Sequence, residues 1–315
     1  MEKEIVLLDI QRMSSEDGPG LRTTAFLKGC PLACRWCHNP ESISFNGQVL
    51  WHGARCMACG LCQRLCPQKG IHAREEGLEL EREKCTGCFT CADSCPAAAM
   101  EAKGKKIKPA RLCRELLKDR AYFGADGGVT LSGGEALMQE AAVELLQLLK
   151  EQGSSVAVDT CGLVPTDRLS RALAFCDIML YDIKIADPAR HKEYTGADNR
   201  LILENLGVVM DWAKKGGRLW IRTPLIPGAT DDEENIRAIG EILAGYGTGE
   251  AAIPERWELC AFNNLCAEKY CSLGLVWAYD GTPLLEREHL DALAEIAAAS
   301  GCAKTIKWTG AARTK

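Results

Sequence analysis

Along most of the chain, short continuous apolar runs alternate with longer stretches whose apolar residues recur every three or four positions. Residues 128–132 form such a run and predict a buried strand. Residues 136–152 place Leu137, Val143, Leu145, Leu146 and Leu149 on one stripe, which predicts a helix stopped by Gly153. The same reading predicts strands over 156–159, 178–183, 218–222 and 257–260, and helices over 166–174, 200–215, 231–244 and 285–300. Pro165 precedes the first of these helices, and the 231–244 helix opens on acidic residues that suit its dipole. Further upstream, residues 23–27 read as a strand that leads straight into Cys30. Repeated strand–helix units imply parallel strands with helices outside, so the fold class is α/β. In α/β barrels the chemistry sits on loops at the C-terminal ends of the strands. Here those ends carry Cys30, then Ser132-Gly133-Gly134-Glu135, Asp159-Thr160, Asp182-Ile183-Lys184 and Arg222. Any one of them alone reads as a turn or cap; together they are expected on one rim.

Cysteine changes the picture most. The chain has 315 residues and 18 cysteines, and eleven of the cysteines fall in three groups. Cys56, Cys59, Cys62 and Cys66 precede Pro67, and Cys85, Cys88, Cys91 and Cys95 precede Pro96. Both read C-x2-C-x2-C-x3-C-P, the run of bacterial two-cluster ferredoxins, in which the fourth cysteine ligates the other cluster. The predicted sets are therefore Cys56, Cys59, Cys62 with Cys95, and Cys85, Cys88, Cys91 with Cys66, each around a [4Fe–4S] cube. Structural zinc is the competing reading, but zinc sites usually pair two C-x2-C knuckles across a longer gap. The remaining group, Cys30, Cys34 and Cys37, supplies only three thiolates to a four-iron cube. One iron is then open, the mark of a reactive site, unless a distant cysteine such as Cys161 closes it.

Composition narrows the class. Hydrophobic residues are 47% and charged residues 26%, which is ordinary for a globular chain. A net charge of −5 gives no basic field for nucleic acid. No apolar run reaches membrane-helix length, and the apolar core of residues 5–8 is too short for a signal peptide. The cysteines are therefore expected as thiols or metal ligands in the cytoplasm.

Taken in order, these motifs resemble the radical S-adenosylmethionine (SAM) superfamily, and most closely the activating enzymes of glycyl radical enzymes. The resemblance rests on residues 17–22 (DGPGLR), 29–41 with C-x3-C-x-W-C-H-N-P-E, 131–136 (LSGGEA), Asp159-Thr160 with Gly162, Asp182-Ile183-Lys184 and 220–228 (WIRTPLIPG). It implies a partial (β/α)6 barrel with an inserted ferredoxin-like α+β domain. Residues 1–45 would give the first strand and cluster loop, 46–104 the two-cluster insert and 105–315 the rest of the barrel. The implied reaction is reductive cleavage of SAM to methionine and a 5′-deoxyadenosyl radical, which removes hydrogen from a glycine of a partner glycyl radical enzyme. Three [4Fe–4S] clusters, SAM and a monovalent cation are the implied cofactors. The implied partners are the glycine loop of that enzyme and a flavodoxin or ferredoxin electron donor, with the chain itself a monomer.

Site roles follow from the same resemblance. Cys30, Cys34 and Cys37 would hold the reactive cluster, and Trp36 and His38 would flank the adenine. Ser132, Gly133, Gly134 and Glu135 would meet SAM, the glycines by admitting a close backbone and Glu135 by accepting from its amine. Asp182, Ile183, Lys184 and Arg222 would contact it as well. Asp159, Thr160 and Asp182 would bind the cation, oxygen ligands suiting a hard ion; a helix cap is the rival for the first two. Asp17 and Arg22 would face the partner's glycine loop. Where the pyruvate formate-lyase activator has a SAM-contacting His, this chain has Asn263, which can donate and accept but not carry charge. Cys260, Cys266 and Cys271 read as plain buried thiols. Two alternatives stay open: another radical SAM peptide-modifying enzyme with auxiliary clusters, or a three-cluster electron-transfer protein. The latter leaves Gly-Gly-Glu and the three-cysteine group unexplained.

Overall fold

The computed structural model describes residues 3–251 and 253–314; Met1, Glu2 and Lys315, at the ends of the expected outer segments, lie outside the described residues. In chain order the elements are β1 (Ile5–Ser14), β2 (Arg22–Leu27), β3 (Gln48–Trp51), α1 (Leu61–Leu65), β4 (Ile71–Arg74), β5 (Gly77–Leu80), α2 (Thr90–Asp93), β6 (Met100–Lys103), β7 (Lys105–Ile107), α3 (Pro109–Leu116), β8 (Gly128–Gly133), α4 (Ala141–Glu151), β9 (Val156–Thr160), α5 (Thr166–Leu173), β10 (Ile178–Asp182), α6 (Pro188–Thr195), α7 (Arg200–Ala213), β11 (Arg218–Leu225), α8 (Glu233–Ala244), β12 (Arg256–Ala261), α9 (Ala267–Leu273), α10 (Arg287–Ala299) and β13 (Ile306–Thr309).

Nine strands form one sheet in the order β13-β12-β11-β10-β9-β8-β2-β1-β7. From β2 to β13 every neighbouring pair is parallel. Spatial order there follows chain order, so the sheet winds one way, as a barrel does and a doubly wound sheet does not. It stays open between β13 and β7. The six-strand unit expected from sequence is β2 with β8 to β12. To it the structure adds β13 as a seventh parallel strand, and β1 and β7 as antiparallel partners on the far side.

Side chains alternate across the sheet with period two. Facing the helices, Leu131, Val158, Met179, Tyr181, Ile221 and Trp257 are fully buried in the main core. Facing inward, Ala157, Ile178, Leu180 and Trp220 make an apolar floor, with the Arg256 guanidinium 3.8 Å over the Trp220 ring. Beyond that floor the inward positions turn polar. The register pairs Asp182 with Arg222 and Arg222 with Glu258. Because β11 runs on to Leu225, Arg222 lies within its strand and not at its end.

The predicted 136–152 helix is split into a 3-10 turn, Ala136–Met138, and α4. The cause is side-chain competition. The Glu135 carboxylate accepts from Leu137 N, and Gln139 leaves the helical pattern to bond β1 and β2, donating to the Val6 and Lys28 carbonyls.

Residues 46–104 build two small antiparallel pairs, β3 with β6 and β4 with β5, and two one-turn helices, α1 and α2. Their buried apolar core is small: Val49, Ile71 and Met100 beside Cys62 and Cys91. β7 then returns to the main sheet at Lys105. Among the described residues, no helix is long and apolar enough to cross a membrane.

Candidate active site at the cysteine loop and the inner rim

The loop after β2 is held by its backbone. Gly29 N donates to Ser42 O at 2.7 Å and Cys30 N to Ile43 O at 3.0 Å. From the end of α6, the Thr195 and Tyr194 carbonyls accept from Ala33 N at 2.8 Å and Arg35 N at 3.0 Å. Cys37 N closes the turn onto Cys34 O at 3.0 Å. The end of β8 packs against the same loop, with Gly134 N donating to Leu27 O and Glu135 N to Gly29 O, both at 2.9 Å. A Cβ on Gly133 would collide with the Leu27 carbonyl, and one on Gly134 would sit 2.7 Å from the Gly29 carbonyl. Glycine is thus required there by the chain's own backbone rather than by ligand access.

Cys161, buried at the end of β9, and Cys30 of the loop act on each other's ionisation, which holds the Cys30 thiol down and raises Cys161. Burial pushes the Cys34 thiol up to about 11, with Lys184 opposing the shift. Burial pushes Cys37 up further. Thiolates in such a site need a cation, which a bound metal supplies.

Two groups of polar residues follow at the strand ends. Glu135, 0% exposed, accepts from Thr160 Oγ1 and Cys161 N at 2.8 Å as well as from Leu137 N at 3.1 Å. Its carboxylate therefore ties the β8 loop to the β9 loop, with lone-pair capacity left for one further donor. On the inner face, Ser132 Oγ donates to Asp159 at 2.7 Å, and Arg222 lies 3.8 Å from Asp159 and 3.3 Å from Glu258. Asp182 pairs with Lys184, whose charge also acts on the Cys34 thiol. Burial raises Asp159 to about 6, against the pull of Arg222.

Not every expected neighbour converges. Asp159 and Thr160 are adjacent on a strand and point to opposite faces, so the Thr160 hydroxyl serves Glu135 while Asp159 faces Arg222. Of the residues expected at the cation site, Asp159 and Asp182 lie beside Arg222 and Lys184, while the Thr160 hydroxyl is turned to Glu135. The Ile183 side chain packs in the outer core, and its N–H is spent on Arg222 O. Arg22 does not face outward. It is 0% exposed and donates to Thr130 Oγ1 at 2.7 Å and Val129 O at 2.8 Å. Asp17 accepts from Ser14 and Thr24 hydroxyls.

Trp36 is buried with Phe262, Tyr270 and Trp277 in an aromatic cluster beside the loop. His38 Nε2 donates to the Asn263 carbonyl at 3.1 Å. Asn263 thus meets the cysteine loop through its main chain, while its side chain accepts from Leu265 N. Sequence reasoning missed Glu258, Lys269 and Tyr270. Glu258 was findable, as a charge alternating with apolar Trp257 and Leu259 in a buried strand. Lys269 and Tyr270 reach the loop from about 230 positions away, with no local signal.

In the insert, one cavity is lined by Cys56, Cys59, Cys62 and Cys95, and the other by Cys66, Cys85, Cys88 and Cys91. The structure thus brings the last cysteine of each run to the first three of the other. Among the described residues no group of three or more His, Cys, Asp or Glu is drawn together around a single ion. Each set of four sulfurs stands around a cavity wall, and the soft all-thiolate donor set fits an iron–sulfur group.

An open, singly wound parallel sheet with a three-cysteine loop at its first strand end defines a class, and residues 24–238 match the model of the radical SAM superfamily. The chain is 36% identical over 297 residues to the choline trimethylamine-lyase activating enzyme of Oleidesulfovibrio alaskensis, covering 92% of this chain and 94% of that one. It is 40% identical over 234 residues to the trans-4-hydroxy-L-proline dehydratase activating enzyme of Clostridioides difficile, covering 73% and 76%. Among solved structures, a radical SAM methyltransferase from Sphaerobacter thermophilus aligns with a TM-score of 0.53 at 14% identity, covering 92% of this chain and 67% of that one; it supports the fold alone. The chain belongs to the radical SAM superfamily and, within it, to the activating enzymes of glycyl radical enzymes. It is an enzyme whose family uses SAM and a [4Fe–4S] cluster to generate a radical on a partner.

Proposed function

We propose that Cys30, Cys34 and Cys37 hold the SAM-cleaving cluster and that the eight insert cysteines hold two more, in the crossed sets that line the two cavities. When bound, the first cluster supplies an electron and an open iron for reductive SAM cleavage. The chain supplies placement. Lys184 and Arg222 offer cationic donors for a carboxylate, and Asp159 and Asp182 offer acceptors for amine and hydroxyl groups. Trp36 and His38 close the apolar side, where an adenine would sit. Glu135 holds the β8 and β9 loops together and keeps acceptor capacity toward an amine. The apolar floor below this row keeps water from the reacting centre.

The observation that carries this reading is that the end of β8 is bonded directly to the three-cysteine loop, Glu135 N donating to Gly29 O, while Ser132 of the same strand end joins the charged inner row through Asp159. We read the electron donor as a flavodoxin or ferredoxin and the chain as a cytoplasmic monomer, in keeping with 18 free thiols. The two relatives described above act, by their names, on different enzymes, so the partner is read only as a glycyl radical enzyme. Anaerobic reconstitution tests the assignment: about twelve irons per chain are expected from three cubes of four. Added SAM should change the spectrum of one reduced cluster and release 5′-deoxyadenosine. Stoichiometric zinc with little iron would overturn the insert assignment.

A further inference from the structure

The carbonyls of Cys37 and His38 come just before Asn39-Pro40, where the chain lacks an N–H at the proline. The loop turns away there and cannot form a local ladder, so these carbonyls draw donors from elsewhere. Those donors come from α9. Tyr270 OH donates to Cys37 O at 2.9 Å, and Lys269 Nζ to His38 O at 3.2 Å. Lys269 also donates to Asn39 Oδ1 at 2.6 Å and pairs with Glu41 at 3.1 Å.

The half-exposed Lys269 reaches buried partners. Glu41 is 4% exposed, and its second oxygen has no hydrogen-bond partner, so Lys269 provides its charge compensation. The Glu41 carbonyl in turn accepts from the fully buried Lys28 ammonium, whose other partner is Gln48 Oε1 at 3.0 Å. Tyr270 is fixed by stacking on Trp277, with centroids 5.6 Å apart. On its other side α9 meets the insert, where Arg82 donates to Ser272 O at 3.2 Å. One short helix thus joins the cysteine loop to the module carrying the other cysteines.

We propose that Lys269 and Tyr270 are positioning residues for SAM cleavage. They act through the Cys37 and His38 carbonyls and fix the end of the Cys34–Cys37 turn relative to the charged inner row. This rests on the reading of Cys30, Cys34 and Cys37 as cluster ligands. Neither residue is a ligand or a proton donor in this role. Both set the direction of peptide planes that no side chain of the loop controls, and a small tilt there moves the last cysteine relative to the charged row.

The test uses the full chain, reconstituted anaerobically, as Tyr270→Phe, Lys269→Met and Lys269→Arg. Iron content, thermal melting and a SAM titration of the reduced cluster's EPR spectrum are measured for each. Iron content should stay close to that of the unaltered protein, and so should melting in Tyr270→Phe. Lys269→Met, which leaves the buried Glu41 carboxylate without its countercharge, should melt lower, and Lys269→Arg should restore most of that loss. Half-saturation by SAM should rise about fivefold in Tyr270→Phe and about tenfold in Lys269→Met, the scale of a lost hydrogen bond and a lost charge-assisted one. Lys269→Arg should recover most of the loss. Unchanged half-saturation in the first two variants overturns the proposal. So does a drop in iron and melting without a change in half-saturation, which would mean packing alone. Should Lys269→Met fail to fold, Tyr270→Phe decides, since it removes one oxygen. No SAM response in the unaltered protein would overturn the ligand reading itself, independently of the variants.

Discussion

The two cysteine-bearing regions solve opposite problems. The Cys30–Cys37 loop is embedded in a large fold. Its backbone is tied to residues 42 and 43, to the end of α6 and to the β8 end, and its third cysteine is clasped by α9. These ties are independent of any metal, and on the proposed ligand assignment three cysteines would leave a coordination position open. The insert has eight cysteines over short strands, one-turn helices and a core of three apolar side chains beside two thiols. A module of about 60 residues with that core is marginal unless something staples it. The lesson is that one chain spends cysteine in two ways. On the proposed assignment, the loop held by the larger fold would withhold a ligand and leave room for chemistry, while the small insert would supply every ligand.

The largest expected effect falls on the open site. Cys34→Ala should abolish 5′-deoxyadenosine formation while the insert keeps about eight irons. Retained SAM cleavage would remove the triad from the mechanism and erase the distinction between the regions. Next comes metal removal. Without iron, the insert should open locally while the barrel stays folded, because ligation free energy is folding free energy in small metal-dependent modules. Limited trypsin digestion of the iron-free chain should cut first within 46–104, at exposed sites such as Lys69, and reconstitution should protect them. Equal protection in both states would mean that the insert does not need its metal.

A smaller effect tests what the insert does beyond folding. In a Cys59→Ala/Cys88→Ala variant that still folds, turnover with a flavodoxin or ferredoxin donor should fall by roughly tenfold, about 1.4 kcal/mol in the barrier. Turnover with a small chemical reductant should fall much less. Equal rates with the protein donor, at equal iron in the Cys30–Cys37 site, would leave the insert a staple only.

How far this was legible in the sequence depended on range. The parallel strands β8 to β12 were visible because both faces of their lower halves are apolar, which makes continuous runs such as residues 178–181. β13 escaped because a half-exposed edge strand lacks such a run and has no fully buried position; β1 opens on the apolar run of residues 5–8 but continues into polar, largely exposed positions. The cysteine groups were legible because metal ligation fixes spacing locally. The strand-end order correctly brought Ser132, Asp159, Asp182 and Arg222 to one inner row. Thr160 does not join that row, because its hydroxyl points to the other face and serves Glu135; Arg22, which the family resemblance implied would face the partner, is buried on the Thr130 and Val129 acceptors. Lys269 and Tyr270 were invisible because their partners are main-chain carbonyls, which leave no signature in residue type.

The smallest predicted effect separates the electrostatics of the two regions. In the insert, Glu81 is held below the usual carboxylate range by Lys84 and His72, but at an exposed surface where solvent screens the pairing. On the inner row, burial lifts Asp159 to about 6 although Arg222 opposes it. A carboxylate whose folded value lies above the unfolded value of about 3.9 binds its proton more tightly in the native state. Its contribution to stability is greatest below about pH 4, declines between about 4 and 6, and above about 6 is a constant cost. Asp159→Asn removes that charge and keeps an oxygen to accept from Ser132. The ligand-free variant should therefore match the parent at pH 4 and exceed it at pH 7.5 by on the order of 1 kcal/mol. That gain corresponds to roughly 2 °C in melting midpoint for a chain of this size. An equivalent change at Glu81, whose shift has the opposite sign and is screened by solvent, should leave at most a small loss of stability near neutral pH that fades as the pH falls. If Asp159→Asn instead loses stability above pH 6, the Arg222 pairing outweighs burial, and the inner row is preformed by its ion pairs rather than held in reserve for a ligand.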